Sequence, residues 1–393
     1  MKNDKNLAIN GGKPITGSPV VIHKPCLGED DFDAVDKAIR TTYISGNGPA
    51  CMEFEKKLAE YIGVKHVLFT NSCTTALDLA FRVKDFPPGS EVIVPDFTYT
   101  STALGPLLNN LKVVLCDVYP NNGNIDVSKI EKLINNKTVA IVPVDYAGNP
   151  AEMDEINRIA AKHNLYVVHD TAQSVGAVYK GRKTGTLADV STFSFHATKN
   201  ITTGEGGAIV TDNDEIAQRL IYMREKGTDK QSFLTDNITR GFYEYVDIGN
   251  SYVQSNILGA LGISQLSKID YILEKRKQIA GFYLNELKGI EGLDFLEIAK
   301  ESVPNWHIFG ILVPPEEKYW IMDALRAEGI MANVHYTPLH RNKFYKGYAT
   351  DEEMQGSMKF FNRLLRLPVY PSLTDEEKEK VINAVKKVFR SLN

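Results

Sequence analysis

Lys199 stands between two short apolar runs, Thr192-Phe-Ser-Phe195 and Gly207-Ala-Ile-Val-Thr211, beside a glycine-rich turn at Gly204, Gly206 and Gly207. An ammonium held near apolar surroundings gives up its proton more easily than one in water, and the neutral amine is the form that condenses with a carbonyl. Lys199 is therefore a candidate Schiff-base lysine. Upstream, Leu165-Tyr-Val-Val-His-Asp170 reads as a buried strand delivering a carboxylate at its C-terminal end, where α/β sheets place ligand-binding groups. A lysine with such an acid suggests pyridoxal 5'-phosphate (PLP), whose pyridine nitrogen must stay protonated for the ring to draw electrons. Asp170 would stabilise that proton, while Lys199 would hold the cofactor and then move protons as general acid and base. Each residue also has a plainer reading: a lysine between strands suits a solvated hairpin, and an Asp after a strand suits a turn or helix N-cap. Their combination favours the chemistry.

The elements that must position these groups follow from periodicity. His66–Thr70, Glu91–Pro95, Lys112–Cys116, Val139–Pro143 and Leu165–His169 read as strands with near-continuous Val/Ile content, as two-sided burial requires. Between them lie helical patterns at Ser128–Ile134 and Glu152–His163, an alternation that predicts a mostly parallel sheet covered on both faces. Beyond Asp212 helices dominate, at Asp214–Glu225 and along Leu258–Leu287. A smaller α+β part follows, with strands expected at Trp306–Val313 and Ile330–His335. Its helices are expected at Glu317–Glu328, Asp351–Leu364 and Thr374–Ser391, the last opening on a capping-box pattern, Thr374-Asp-Glu-Glu377. The expected division is a large α/β domain over 1–260 and a linking helix with a small α+β domain over 261–393.

Composition narrows the function classes. With 393 residues, 43% of them apolar, the chain can bury a large core, and a net charge of −4 supplies no basic field for nucleic acid. The N-terminus lacks the apolar region of a signal peptide, and no apolar run reaches the roughly 18 residues a membrane span needs. A cytoplasmic protein without nucleic-acid or membrane partners is expected. Cys26, Cys51, Cys73 and Cys116 are scattered, which supports neither a zinc site nor a disulfide framework.

The ordered strings Asp170-Thr-Ala-Gln173, Phe193-Ser-Phe-His-Ala-Thr-Lys199 and Gly204-Glu-Gly-Gly207 resemble those of the DegT/StrS sugar-nucleotide aminotransferases, as do Tyr43–Pro49, Asn71–Leu77, Val94–Thr102 and Val334–His340. The resemblance spans nearly the whole chain. It implies the aspartate-aminotransferase fold (PLP-dependent fold type I), with a mostly parallel seven-stranded sheet, and a homodimer with shared active sites. Residue by residue, it implies Lys199 as the catalytic lysine, Asp170 on the pyridinium nitrogen, Gln173 on the ring hydroxyl and Tyr99 stacked on the ring. Cys73, Thr74 and Ser194 would hold the phosphate. Tyr99 would also suit a core, Ser194 the outer face of a strand, and Thr74 a simple cap. The family's Asn that reaches a neighbour's phosphate aligns with Ser251, with Asn250 beside it, and Asp145 replaces a His near the expected cofactor site.

Further strings, among them Met223–Thr228 and His335–His340, are similar to those of transaminases that make dTDP-4-amino-4,6-dideoxygalactose. The resemblance therefore implies transfer of the amino group of L-glutamate, released as 2-oxoglutarate, to C4 of dTDP-4-keto-6-deoxyglucose by a ping-pong mechanism. Ser45, His196, Lys226 and His335 are substrate-contact candidates from position alone. Amination at C3, or of a cyclitol ketone, stays open, because the ligand pocket is built from several loops that the sequence does not place. A 3-dehydratase of this fold would carry His where this chain has Lys199, and a purely regulatory protein would have no need to keep both Lys199 and Asp170.

Overall fold

The computed structural model describes residues 4–229 and 243–392. An N-terminal arm leads into helices α1 (Glu29–Arg40) and α2 (Pro49–Ile62). Strands and helices then alternate: β1 (His66–Thr70), α3 (Cys73–Arg82), β2 (Glu91–Pro95), α4 (Thr100–Leu108), β3 (Lys112–Cys116), α5 (Val127–Leu133), β4 (Thr138–Ile141), α6 (Met153–His163) and β5 (Tyr166–Asp170). The short strands β6 (Val178–Tyr179) and β7 (Arg182–Lys183) precede β8 (Val190–Ser194), β9 (Gly207–Thr211) and α7 (Asp214–Arg224). After α8 (Asn256–Ser267) and α9 (Ile269–Glu286) come β10 (Asp294–Phe295), β11 (Ser302–Val303), β12 (Phe309–Leu312), α10 (Lys318–Ala327), α11 (Gln355–Arg363), β13 (Leu364–Leu367) and α12 (Asp375–Arg390).

The large sheet has seven strands in the order β1-β9-β8-β5-β4-β2-β3, and only β9 runs against the others. This is the α/β architecture with a mostly parallel sheet expected from the sequence. Alternate side chains go to opposite faces. Val168 and Val190 join Leu77, Ala80 and Leu220 on one face, and Val167 joins Ile141 and Ile156 on the other. Phe193 and Phe195 pack instead with Phe54 and Phe69, the Phe54 and Phe195 ring centroids lying 5.3 Å apart. Each such fully buried Phe contributes about 1.5–3 kcal/mol. Because Phe195 directly follows β8, that burial anchors the start of the loop bearing Lys199.

A three-stranded sheet, β10-β12-β13, backs a second core. Leu7 and Val20 of the N-terminal arm belong to it. The arm is also tied by Glu328, wholly buried, whose carboxylate accepts from Ala8 N (2.8 Å), Ile15 N (3.0 Å) and Lys387 Nζ (2.8 Å). The capping box of α12 forms as its sequence suggests: Glu377 N donates to Thr374 Oγ1 (3.1 Å) and Thr374 N to Glu377 Oε2 (2.9 Å).

Several elements differ from expectation. The segment Leu258–Leu287 is two helices, α8 and α9, parted at Lys268, whose ammonium is drawn to Asp30 at 2.7 Å. The strand expected from Trp306 starts at Phe309 because Trp306 turns the backbone with φ 53°. Residues 330–335 form no strand, and among the described residues their β pairing is limited to single bridges, Val20 to Ile330 and Asn333 to Arg366. The helix expected over Asp351–Leu364 starts at Gln355 and passes directly into β13, a strand the periodicity did not reveal. Among the described residues no helix is long and apolar enough to cross a membrane.

Candidate active site

The carboxyl ends of β5 and β8 open onto a cavity of about 500 Å³. Asp170 ends β5 and Ser194 ends β8, both lining it, as expected where parallel strands terminate. Lys199 lies on the loop between β8 and β9. That loop is closed by Phe195 N donating to Gly206 O (2.9 Å), Thr203 N to Phe195 O (2.9 Å) and Lys199 N to His196 O (2.9 Å). Ile201 sinks into the same aromatic core as Phe195, so both flanks of Lys199 are fixed by burial.

Electrostatics match the geometry. Burial pulls the Lys199 ammonium down to about 8; the Asp170 carboxylate opposes this, and Arg366 adds to it. The amine is thus within reach of its neutral, nucleophilic form near neutral pH. Burial raises the Asp170 carboxyl above the usual range, while hydrogen bonds from Thr102 Oγ1 (2.7 Å to Oδ2) and Ala172 N (3.1 Å to Oδ1) and the nearby Lys199 favour its charged form. Thr102 is itself met by Thr98 Oγ1 at 2.7 Å.

Helix α3 presents its N-terminus to the cavity, with Ser72, Cys73 and Thr74 on the wall. The first backbone N–H groups of a helix have no intrahelical acceptor and favour an anion. Gly207 lets this terminus lie against the start of β9: a Cβ there would come within 2.3 Å of Cys73 N. The Thr74 hydroxyl is hydrogen-bonded to Ser101 Oγ at 2.6 Å. Burial pushes the Cys73 thiol well up, so it stays protonated.

Tyr99 lines the cavity and is 55% exposed, which removes the core alternative. Its ring centroid lies 5.5 Å from that of Tyr336. Gln173 also lines the cavity; its Oε1 accepts from Ala147 N (2.9 Å) and its Nε2 donates to Tyr336 Oη (3.3 Å). Of the substrate-contact candidates, His196 and His335 line the cavity and Ser45 and Lys226 do not. Lys226 is turned to Glu225 at 2.8 Å, and the Ser45 carbonyl accepts from Asn256 N (3.0 Å). Asn250 and Ser251 are exposed and lie outside this chain's own cavity. Asp145 does not face it either: its carboxylate lies within 2.8 Å of His169 Nε2 and accepts from Ser174 Oγ (2.6 Å) and Ala151 N (2.8 Å). The wall position beside it is Val144.

The remaining wall was not foreseen. His23, His307, Asn333, Tyr336 and Arg366 also line it, drawn from the N-terminal arm, the segments before β12 and after α10, and β13. Burial holds His23 down to about 4 and His335 to about 3, so both imidazoles are neutral at pH 7. Tyr336 adjoins His335 in a string the sequence had singled out; nothing in the periodicity marked the others.

Residues 25–386 match the DegT/DnrJ/EryC1/StrS aminotransferase family. The chain is 35% identical to the UDP-4-amino-4,6-dideoxy-N-acetyl-beta-L-altrosamine transaminase of Campylobacter jejuni, covering 88% of this chain and 91% of that one. It is 34% identical to the GDP-perosamine synthase of Caulobacter vibrioides, covering 94% and 98%. The fold superposes on the sugar aminotransferase Spr1654 of Streptococcus pneumoniae in its PMP form with a TM-score of 0.88 at 27% identity, over 95% of this chain and 98% of that one. A lysine amine, a buried carboxylate, a helix N-terminus and an aromatic ring around one cavity fit PLP, and the close approach allowed by Gly207 leaves the helix terminus open to a phosphate.

Proposed function

The chain belongs to the DegT/DnrJ/EryC1/StrS aminotransferase family, and from that membership we propose that it aminates C4 of a nucleotide-linked 4-keto-6-deoxyhexose, dTDP-4-keto-6-deoxyglucose in the first instance, with L-glutamate as donor. It is a PLP-dependent transaminase of nucleotide sugars. The observation that carries the proposal is the cavity that joins a desolvated Lys199 to Asp170 at the carboxyl ends of β5 and β8. Placement of the amine at C4 draws on the 4-amino-4,6-dideoxy sugar in the name of the Campylobacter relative.

When bound, PLP supplies an electron sink for the carbon that loses or gains a proton. Asp170 would keep the ring nitrogen protonated, with Thr102 and Ala172 N holding the carboxylate in place. The α3 terminus at Cys73 and Thr74, with Ser194, would receive the phosphate, Tyr99 would cover the ring, and Gln173 would lie beside its hydroxyl. Lys199 Nζ would take the proton from the donor's Cα in the first half-reaction and deliver one to the sugar's C4 in the second. The face it works from would set the configuration of the new amine.

Asn250 and Ser251 are assigned to the cofactor site of a second copy in a homodimer. Their exposure supports this, as does the exposed apolar stretch Tyr243, Tyr245, Val246 and Ile248 just before them. Sedimentation of the purified protein as a monomer that retains full activity would refute that assignment.

The reading is tested by reconstituting the protein with PLP, adding L-glutamate, and offering dTDP-, UDP- and GDP-linked 4-keto-6-deoxy sugars. The expected result is loss of the cofactor's visible band with glutamate and its return with one of the sugars, the product bearing nitrogen at C4 by NMR. Nitrogen at C3, or return of the band only with a cyclitol ketone, would overturn it.

A further inference from the structure

Arg219 fastens three elements that meet away from the cavity. It projects from α7 and donates through Nη1 to Val83 O (2.7 Å), just past the end of α3, and through Nε to Asp247 Oδ2 (2.7 Å). Nη2 reaches the other oxygen of Asp247 at 3.5 Å, so both arms of the fork grip one carboxylate. Asp85 pairs with the same guanidinium. Neither Arg219 nor Asp247 lines the cavity that holds Lys199.

Asp247 begins the run that leads to Asn250 and Ser251. Burial works against its charge, yet the bonds from Arg219 and from Ile248 N (2.7 Å) hold its carboxyl below the usual range. Beyond it the backbone is laid onto the end of α7: Asn250 N donates to Met223 O (3.0 Å), Lys226 N to Asn250 O (3.0 Å) and Tyr252 N to Arg224 O (3.1 Å). Two glycines permit this close approach, since a Cβ on Gly227 would come within 1.7 Å of Asp247 O and one on Gly249 within 2.4 Å of Met223 O. The outer side is open: Ile248 is 76% exposed, and the Ser251 hydroxyl makes no hydrogen bond among the described residues. A run fixed at its base with its polar tip free is suited to present that tip to another molecule.

We propose that Arg219 is a positioning residue that acts across the dimer, its grip on Asp247 setting the Asn250–Ser251 step at the cofactor phosphate of the second copy. The inference rests on the shared-site reading above. An isolated surface ion pair is worth little. Here a fork, two carboxylates and a carbonyl converge on one guanidinium, and holding a binding group in its bound geometry strengthens binding by sparing the cost of ordering it. A route within one copy also exists. Helix α3 runs from the Val83 end back to Cys73 and Thr74, so losing the Val83 contact would disturb the phosphate seat of the same chain. Which copy's site suffers therefore separates positioning across the dimer from ordinary support of the fold.

The test uses dimers of two differently tagged chains, purified through both tags, with PLP affinity read from the covalent cofactor band as the apo-protein is titrated. In the Arg219→Met homodimer the affinity is expected to fall roughly tenfold, as for the loss of one hydrogen bond to a charged group. An Arg219→Met chain is then paired with a Lys199→Ala chain. The one site that keeps its lysine is faced by the intact Arg219 of the other chain, so half the wild-type band should appear, with the wild-type midpoint. A midpoint shifted as in the Arg219→Met homodimer, or a homodimer that binds PLP as wild type does, would overturn the proposal. Asp247→Asn weakens the same grip with little change of shape, and decides the matter by the same pairing if Arg219→Met fails to fold. A control pairs Lys199→Ala with a chain carrying both Asn250→Ala and Ser251→Ala. The shared site requires the wild-type midpoint there as well; a shifted midpoint in this control, or a monomeric wild type, would instead sink the shared-site reading itself.

Discussion

The hydroxyl of Thr102 donates to Asp170 Oδ2 over 2.7 Å, inside a site where neither residue has appreciable contact with solvent. Burial raises the Asp170 pKa, and this bond is the first of the interactions that hold it down. Thr102→Val removes the donor but keeps the shape. Leaving the carboxylate short of one bond costs about 1–3 kcal/mol, which weakens its charge toward the cofactor. About a tenfold loss of PLP affinity is expected in titrations of the apo-protein; an unchanged midpoint would show that Asp170 needs no such support.

Lys199 gives the site a pH dependence. Its pKa is lowered to about 8 by burial, so below that value the ammonium dominates and above it the free amine. The rate at which the apo-protein regains its visible cofactor band should rise with pH and level off above roughly 8, the form needed for condensation being the amine. Lys199→Ala should bind PLP without that covalent band. A rate that falls between pH 7 and 9 would contradict the assignment.

Asp145 is built into the interior, facing His169, Ser174 and the backbone at Ala151. Removing one member of a buried polar network leaves the others unpaired and costs about 3–5 kcal/mol where charges are involved. Asp145→Ala is therefore expected to lower the urea midpoint markedly, while the fraction that remains folded still shows the cofactor band. A stable variant that has lost only the cofactor would instead place Asp145 in the site.

His340 lies between Asp96 at 2.8 Å and Asp351 at 2.9 Å, joining the segment before Tyr99 to the segment after Tyr336. Burial works against its charged form, yet the two carboxylates outweigh it and raise the pKa. A raised histidine pKa stabilises the fold fully below the unfolded value near 6.5, and that gain is lost as pH climbs through the folded value. The stability advantage of wild type over His340→Gln should accordingly be largest at pH 5.5 and shrink by pH 9. Chemical denaturation at both pH values checks the sign.

The parts of the site borne by short local patterns were readable in the sequence. Asp170 ends β5, Lys199 lies on the loop that follows β8, and the α3 terminus follows directly from β1, so strand-then-ligand logic located them. Arg366 escaped that logic because Leu364-Leu-Arg-Leu367 follows a helix without a glycine, proline or turn between them, and one arginine in an apolar strand looks like ordinary alternation. Its place in the wall depends on how the small sheet meets the large one. His23 is similar: an unremarked arm residue is brought to the cavity by a contact of 2.9 Å with the carbonyl of Ala197, distant in sequence. Lys226 shows the converse, since adjacency to a singled-out string did not decide where its side chain turns; its neighbour Glu225 did.

The clasp at Glu328 bears on the order in which the chain is made. The arm that carries Ala8 and Ile15 leaves the ribosome well before the carboxylate that holds it, which comes more than three hundred residues later, and Lys387, which shares that carboxylate, comes later still. The arm thus waits, unsecured at these two amides, until Glu328 has been made. Since His23 belongs to the arm and Arg366 to β13, the cavity acquires its full wall only once β13 has been made. Nascent chains halted before the small sheet should therefore be left with an exposed, protease-sensitive N-terminal arm.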